Sequence, residues 1–405
     1  MRMTLIAAML VGAAWLQAAA AADNPPAPVI APTTSGDAAE SKESKARLEI
    51  SGKVQLDMIY DFKKVDPTWN STLRPSTIPI NCPGDAGCGQ DGSTIFSVRQ
   101  TAIAFNGYVP TTMGELKTEV SLDLFNVGGA NTAFRLLHTW GELGKFGFGQ
   151  YYSLMMNIDV FPNSIDYWGP SGMLFVRNPQ MRYTAFKTKE SRLVFSLEAP
   201  NAAIDTGKVT VADPSLNVSG WTKYPDLVGK YSMDRDWGLF EVGGIMRSVG
   251  YQTTSTPSGN PSGSKTGWGV TMDGYYRVGS GSRVTGQFTY GEGMASYFND
   301  GGVDLAPGAN FTAETVKSVG LMAFFDHRWT KEWTSSIGYS QHEQTNTGGQ
   351  LFNAFKRGSY ALANLLWNPA KNVTMGGELL WGQKEQKDGQ SADDVRFQFS
   401  TQYKF

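Results

Sequence analysis

The three histidines of the chain come first, because a histidine paired with a serine and an acid could catalyse hydrolysis. His138 shares its strand parity with apolar residues, which favours an outward or subunit-interface position over that of a catalytic base. His327 and His342 each adjoin an acidic residue, but neither has a serine in a recognisable nucleophile motif. We predict no catalytic residues and keep a lipid hydrolase only as an alternative.

Two glycine-containing segments could suggest nucleotide binding. In the tract that ends in Ser264 and Lys265, a phosphate loop would need glycine directly before the lysine, and serine stands there. Gly147 and Gly149 lie within an alternating strand pattern and open no helix, so they predict no dinucleotide site. We therefore expect no cofactor.

The only two cysteines are Cys82 and Cys88, which enclose five turn-forming residues. In an oxidising compartment this spacing predicts a local disulfide that pins a loop. A metal site is disfavoured because no histidine lies nearby.

Alternating hydrophobicity is the dominant pattern from Leu48 to the end of the chain. It is clearest at the C-terminus, where apolar Val395, Phe397 and Phe399 alternate with polar residues. A soluble sandwich alternates too, but here the pattern continues for some 355 residues without a helical stretch, and aromatic residues cluster near strand ends. Aromatic girdles are typical of membrane barrels.

The spacing of these segments predicts an all-β fold, a 16-stranded antiparallel transmembrane β-barrel. Short connections, expected to be periplasmic turns, alternate with long ones, expected to be extracellular loops. We place the strand centres near residues 55, 100, 120, 137, 148, 183, 195, 230, 244, 272, 287, 321, 338, 361, 378 and 399.

The N-terminus predicts export. Residues 1–22 have the basic start, the apolar stretch and the small-residue cleavage site of a signal peptide. Residues 23–46 are rich in proline and read as a disordered periplasmic extension, so the barrel should occupy 47–405. We expect a multi-pass protein of the Gram-negative outer membrane, in contact with membrane lipid and lipopolysaccharide.

Composition agrees with this class. Glycine supplies 46 of 405 residues, aromatic residues 12 % and charged residues only 18 %, whereas charged residues make up about 25 % of a typical protein. With 35 basic against 37 acidic residues, the chain lacks the basic excess of a nucleic-acid-binding protein.

The long connection from 153 to 178 carries Phe161, Tyr167, Trp168 and Phe175, too much apolar surface for a loop in water. It could cap the barrel rim, but we favour a loop that folds into the lumen as a constriction, because a sixteen-strand barrel otherwise encloses a wide channel.

Arginines on the polar parity of their strands are the candidate selectivity residues. A lipid-facing arginine at the bilayer midplane costs about 2 to 4 kcal/mol, so these side chains should line the pore, unless they only pair with lumen acids such as Glu119, Asp123 and Glu198. The constriction loop adds two acids and one terminal arginine. The full predicted set is Arg99, Arg135, Arg182, Arg192, Arg177, Asp159 and Asp166.

The run from Gly149 to Gln180, with Asp159-Val-Phe-Pro-Asn-Ser-Ile-Asp166-Tyr-Trp-Gly-Pro at its centre, resembles the DcaP-like (dicarboxylate) trimeric outer-membrane porins. The terminal Phe405 also resembles the assembly signal of bacterial barrels. The resemblance implies a homotrimer, the loop as constriction, and passive diffusion of small hydrophilic, preferentially anionic solutes such as dicarboxylates. Members can carry an N-terminal coiled coil, for which residues 23–46 show no heptads. A specific sugar channel remains the alternative.

Overall fold

The fold is described here from a computed structural model that covers residues 45–126, 132–254, 261–308 and 310–405. The predicted signal peptide and nearly all of the predicted extension lie outside the described residues, as does part of the 252–265 loop. No helix among the described residues is long and apolar enough to cross a membrane.

Strands make up most of the described chain, with one short α-helix, α1 (Gly207–Ala212), and 3-10 turns at Pro75–Thr77, Ile158–Val160 and Ala295–Tyr297. The strands are β1 Arg47–Asp61, β2 Ser93–Ser97, β3 Ala102–Thr111, β4 Gly114–Asp123, β5 Arg135–Leu143, β6 Phe146–Tyr152, β7 Arg177–Lys187, β8 Ser191–Glu198, β9 Val218–Trp221, β10 Asp226–Arg235, β11 Gly238–Thr253, β12 Ser262–Val278, β13 Ser282–Glu292, β14 Leu305–Pro307, β15 Ala313–Thr315, β16 Lys317–Arg328, β17 Trp333–Thr345, β18 Phe355–Ala370, β19 Val373–Gln386 and β20 Ser391–Lys404.

Antiparallel pairing closes the sheet into a barrel. Each main strand pairs with its neighbours in chain order, and β1 pairs with β20 from Lys53–Lys404 to Asp61–Arg396. The segments β2 and β9 only extend the sheet beside β1 and β11, while β14 and β15 form a separate hairpin. The other sixteen strands form the predicted barrel, which leaves no open edge.

The connections alternate in length as expected. Tight turns such as Gly144–Lys145 and Lys371–Asn372 lie at one end of the barrel, and the long loops lie at the other. Of the sixteen predicted strand centres, all but one fall within strands. The exception is residue 100, because the strand predicted over 95–105 is interrupted between Ser97 and Ala102.

Each strand presents one apolar and one polar face. On β1, Val54 and Leu56 are exposed on the outside, while Lys53, Gln55 and Asp57 are buried on the inside. The polar face therefore turns toward the lumen and the apolar face toward lipid, which is the arrangement that a membrane barrel requires.

The 153–176 loop folds into the barrel, as predicted. Phe161 and Met173 are buried in an apolar cluster with Phe324, Tyr360 and Leu380 of the barrel wall. A second loop, after β13, also enters: Tyr297 and Phe298 pack with the first loop at Leu154 and Leu174. This second inward loop was not predicted, although its apolar run around Met294 could have indicated it.

Cys82 and Cys88 form the predicted disulfide, with their Cα atoms 5.5 Å apart. The bond lies within the loop between β1 and β2 and joins residues only six positions apart. Closing so short a ring restricts the unfolded chain little, and the bond crosses no barrel seam.

We predict that replacing both Cys82 and Cys88 by Ser leaves the barrel assembled and loosens only the 63–93 loop. Heat-modifiable migration on gels should stay as in the wild type, while limited proteolysis should cut this loop faster. A double variant that fails to reach the membrane would show that the bond serves assembly.

Candidate selectivity site

The constriction loop is held by side chains of the lumen wall rather than by a strand partner. Glu378 on β19 accepts hydrogen bonds from Ser164 Oγ at 2.8 Å and from the backbone N–H groups of Ile165 and Asp166 at 3.2 and 3.1 Å. Because an enclosed backbone N–H needs a partner, this one carboxylate fixes the middle of the loop.

Other wall residues hold the carbonyl groups of the same loop. Gln100 and Gln398 both donate to the Ile165 carbonyl at 2.8 Å. Arg283 donates to the carbonyls of Asp159 and Phe161 at 3.0 and 3.1 Å. Gln100 lies in the interruption between β2 and β3, so the irregular backbone there provides a direct anchor for the loop.

Glycines allow the loop to lie directly on the wall. A Cβ atom at Gly172 would come within 2.2 Å of the Gln341 carbonyl oxygen and 2.6 Å of the Leu321 carbonyl oxygen. A Cβ at Gly320 on β16 would lie 2.5 Å from the Gly172 oxygen. Both positions therefore require glycine for this approach.

The two predicted loop acids occupy different surroundings. Asp159 is exposed on the loop. Asp166 is buried, and its carboxylate accepts from Thr72 Oγ1 at 2.7 Å and from the Leu73 and Gly169 N–H groups at 3.1 Å. Asp166 thus joins the inward loop to the 63–93 loop instead of presenting its charge to the open lumen.

Arg135 lies at the start of β5, half-buried against the loop. It forms a bidentate pair with Asp123, at 3.1 and 2.6 Å, and contacts the Tyr167 hydroxyl. Tyr167 donates to Asp123 at 2.6 Å. Burial, reinforced by the Asp123 charge, raises the pKa of Tyr167, so this hydroxyl remains a neutral donor.

Arg177 and Arg182 lie along β7 against aromatic rings. The Arg177 guanidinium is 4.8 Å from the Tyr152 ring centre and 5.0 Å from that of Phe175. Arg182 is 5.2 Å from Trp140 and donates to Gln180 at 2.7 Å. Stacking orients a guanidinium and leaves its charge intact. Within the described residues, neither arginine has a carboxylate within 4.0 Å.

The remaining two predicted arginines differ from the expected picture in one respect each. Arg99 lies in the interruption between β2 and β3, so strand parity does not orient it; it lies 5.9 Å from the Phe125 ring and donates to the Thr68 carbonyl at 3.3 Å. Arg192 on β8 is paired with Glu241 at 3.1 Å.

Sequence reasoning missed Arg74 and assigned His138 to the wrong face. Arg74, in a loop without periodicity, lies 4.4 Å from the Trp168 ring and pairs with Asp300 at 3.0 Å. His138 was expected to face outward, but a β-bulge pairs it with Ser121 and adds Leu137 to β5. One extra residue in a strand moves every following side chain to the opposite face of the sheet. His138 therefore points inward and is buried.

Two of the predicted arginines, Arg135 and Arg177, line a cavity of about 270 Å³ beside the constriction loop. Two guanidiniums and two amides face it from separate elements: Arg135, Arg177, Gln150 and Asn299, with Tyr167 completing the polar lining. No carboxylate belongs to the lining. Tyr167 donates to Asp123, Gln150 to the Leu137 carbonyl and Asn299 to the Trp168 and Pro170 carbonyls. Arg177 therefore supplies the positive charge of the lining that has no carboxylate partner among the described residues. The arrangement is suited to small oxyanions.

Comparison with known proteins assigns the family. A profile of the DcaP outer membrane protein family matches residues 31–405. The chain belongs to this family. No curated protein sequence matches it. The DcaP assignment and the closed barrel place the protein in the outer membrane as a channel.

Solved porins share the DcaP fold seen here. The outer membrane channel DcaP of Acinetobacter baumannii is 19 % identical with a TM-score of 0.77, over 90 % of this chain and 98 % of that one. An anion-selective porin from Comamonas acidovorans is 9 % identical with a TM-score of 0.57, and the match covers 89 % of this chain and 100 % of that one. OmpT of Vibrio cholerae, in a trimer form, is 9 % identical with a TM-score of 0.54, and the match covers 89 % of this chain and 100 % of that one.

We predict that Glu378→Ala releases the constriction loop without preventing barrel assembly. Asp166 N–H keeps Ser164 Oγ as a second acceptor, so two donors, Ser164 Oγ and Ile165 N–H, lose their acceptor. At about 1 to 3 kcal/mol for each, the attachment of the loop should weaken by roughly 2 to 6 kcal/mol. Single-channel conductance in planar bilayers should become larger and noisier.

The control for this variant is Glu385→Ala, a change on the same strand whose carboxylate pairs with Lys356 on the outer face. It should conduct as the wild type does. Equal conductance in Glu378→Ala and the wild type would show that the loop is held by its other contacts.

Proposed function

We propose that this DcaP-family channel passes small hydrophilic solutes by passive diffusion and prefers anions, with dicarboxylates as the solute class. The observation that carries the proposal is the cavity beside the constriction loop, which Arg177 lines with a guanidinium that has no ion-pair partner in the described part of the chain. Positive groups that line a constriction favour anions.

The charge balance near the constriction supports this preference. Arg135 and Arg192 are each paired with a carboxylate, on Asp123 and Glu241. Arg99, Arg177 and Arg182 have no such pair in the described ranges, so pairing with lumen acids cancels only part of the basic set. The porin from Comamonas acidovorans, which has the same fold, is anion-selective, and this agrees with the proposed direction.

A sugar channel would need open aromatic faces along the lumen. Aromatic rings are present there, since Trp140, Tyr151 and Tyr152 point inward. Arginine side chains lie against all three of them, so these faces are occupied by cations. The arrangement favours charged over neutral solutes.

A hydrolase would need an activated serine. Ser282 Oγ lies 2.8 Å from His327 Nδ1 at the short-turn end, but among the described residues no carboxylate pairs with His327 to orient the ring. The contacts around Ser282 therefore lack the third group of a hydrolytic triad, and the channel function is favoured.

The outer surface supports two partners, a second copy of the chain and membrane lipid. Large apolar side chains such as Phe96, Phe134 and Met181 are exposed on the outside. Lys356 and Arg357 lie at the long-loop end of β18, where the phosphates of lipopolysaccharide would be within their reach. We infer a homotrimer in lipopolysaccharide-containing membrane.

We expect the mature chain, beginning near Asp23, in outer-membrane fractions as a heat-modifiable oligomer with three times the monomer mass. The trimer form of the related OmpT fold and the exposed apolar outer face support this expectation. Cross-linking and light scattering in detergent measure the mass, and a stable monomer in both would contradict it.

We predict that Arg177→Gln lowers the anion-to-cation permeability ratio by up to about tenfold, since one charge at roughly 6 Å in water attracts an anion by ~0.7 kcal/mol and repels a cation by as much. The reversal potential in a potassium chloride gradient measures the ratio. Arg357→Gln removes the same charge outside the lumen and should leave it unchanged. An unaltered ratio in Arg177→Gln, or a wild type that prefers cations, would contradict the anion preference.

A further inference from the structure

His138 contacts both an acid and the unpaired arginine of the cavity. Its Nδ1 lies 2.7 Å from Glu119 Oε1, and its Nε2 lies 3.2 Å from Arg177 Nε. The three side chains come from β4, β5 and β7, so the histidine bridges across the wall. Nothing in channel conduction by itself requires this arrangement.

Hydrogen-bond chemistry determines which ring nitrogen carries the proton. Arginine is always protonated, so Arg177 Nε can only donate, and His138 Nε2 must accept. The proton of a neutral His138 therefore sits on Nδ1 and is donated to Glu119. In this state the histidine fixes the position of Nε, and the rest of the guanidinium remains directed to the cavity.

A doubly protonated ring cannot make the same contact. Its Nε2 would carry a hydrogen and a share of the positive charge, and both would oppose the Arg177 Nε–H. The bond from Nδ1–H to Glu119 would survive, because Glu119 Oε1 is the acceptor in either state of the ring. Histidine in ordinary surroundings changes charge between about pH 5 and 8. Burial and Arg177 disfavour the charged form of His138, whereas the acceptor on Glu119 favours it, so mild acid is the condition to test.

Charged and titratable groups face His138 from three strands. Glu119 faces it from β4, Tyr151 and Tyr152 from β6 with ring centres at 4.4 Å, and Arg177 from β7. Arg182 lies behind Tyr151, 5.4 Å from its ring centre. Glu119 accepts a hydrogen bond from the ring, whereas the two arginines oppose a positive charge on it.

We propose that His138 is a positioning residue for solute selectivity: neutral, it fixes Arg177 toward the cavity, and protonated, it releases Arg177. The proposal rests on the anion preference proposed above. Its consequence is that mild acid weakens anion binding at the constriction. A histidine that acted only as an added positive charge would strengthen anion binding in acid, so the two roles differ in sign.

The test measures current block by ethane-1,2-disulfonate, a small dianion that stays fully ionised in this pH range. His138→Gln keeps an acceptor near the position of Nε2 but cannot titrate, and His138→Phe keeps a ring but has no acceptor. His327→Gln is the control, because His327 lies at the short-turn end beside Ser282. All are measured at about pH 5 and pH 7.5.

We expect the wild-type residence time of the dianion to fall about fivefold at the acid pH, the factor that one typical net hydrogen bond represents. His138→Gln should keep the long residence time at both pH values. His138→Phe should show at both pH values the short residence time that the wild type has in acid. His327→Gln should behave as the wild type does. A longer wild-type residence in acid, or equal behaviour of His138→Gln and His138→Phe, would overturn the proposal.

A second measurement separates this proposal from the anion preference itself. Reversal potentials in a potassium chloride gradient are measured for the wild type and the three variants. The potentials of His138→Gln and His138→Phe can be compared whether the wild type prefers anions or cations. A cation-selective wild type contradicts the proposed function. Identical potentials in the two variants at both pH values contradict the role of His138, even in an anion-selective channel.

Discussion

The hydrogen bonding of the constriction loop to the barrel wall is the constraint on which the rest of the structure depends. Sixteen strands enclose more space than their own side chains fill, and the loop that narrows this space has no strand partner for its middle section. Glu378, Gln398 and Gln100 supply those partners. The inward faces of the strands must therefore be polar for two reasons: they contact the water in the channel, and they supply hydrogen-bond partners to the backbone of the loop.

Two arginines at this constriction, Arg177 and Arg182, lie against aromatic side chains and, among the described residues, not against carboxylates. A guanidinium that pairs with a carboxylate loses most of its field, as at Arg135 and Asp123, whereas one that stacks on an aromatic ring keeps its charge. Arg177 and Arg182 belong to the second kind. The channel thus combines fixed geometry with uncompensated charge, and aromatic residues inside the lumen serve this purpose rather than lipid contact.

Period-two alternation and loop spacing were sufficient to predict the barrel, because a strand that separates lipid from water must alternate. The inward loop was predictable from its apolar residues. Parity failed where the backbone departs from regular pairing: at Arg99, in a strand interruption, and at His138, beyond a bulge. Arg74 and Asn299 could not be found at all, since loop residues have no periodicity and only the packed fold brings Arg74 to Trp168 and Asn299 to the cavity.

The pairing of β1 with β20 has a consequence for biogenesis. Tyr60 pairs with Phe397 and Val54 with Tyr403, so the seam joins the two ends of the barrel sequence, and Gly52 exchanges backbone hydrogen bonds with Phe405. No shorter nascent chain can close the seam, and contacts so distant in sequence form slowly. Closure must therefore wait for the last strand, and until β20 meets β1 the edges of both strands remain unpaired.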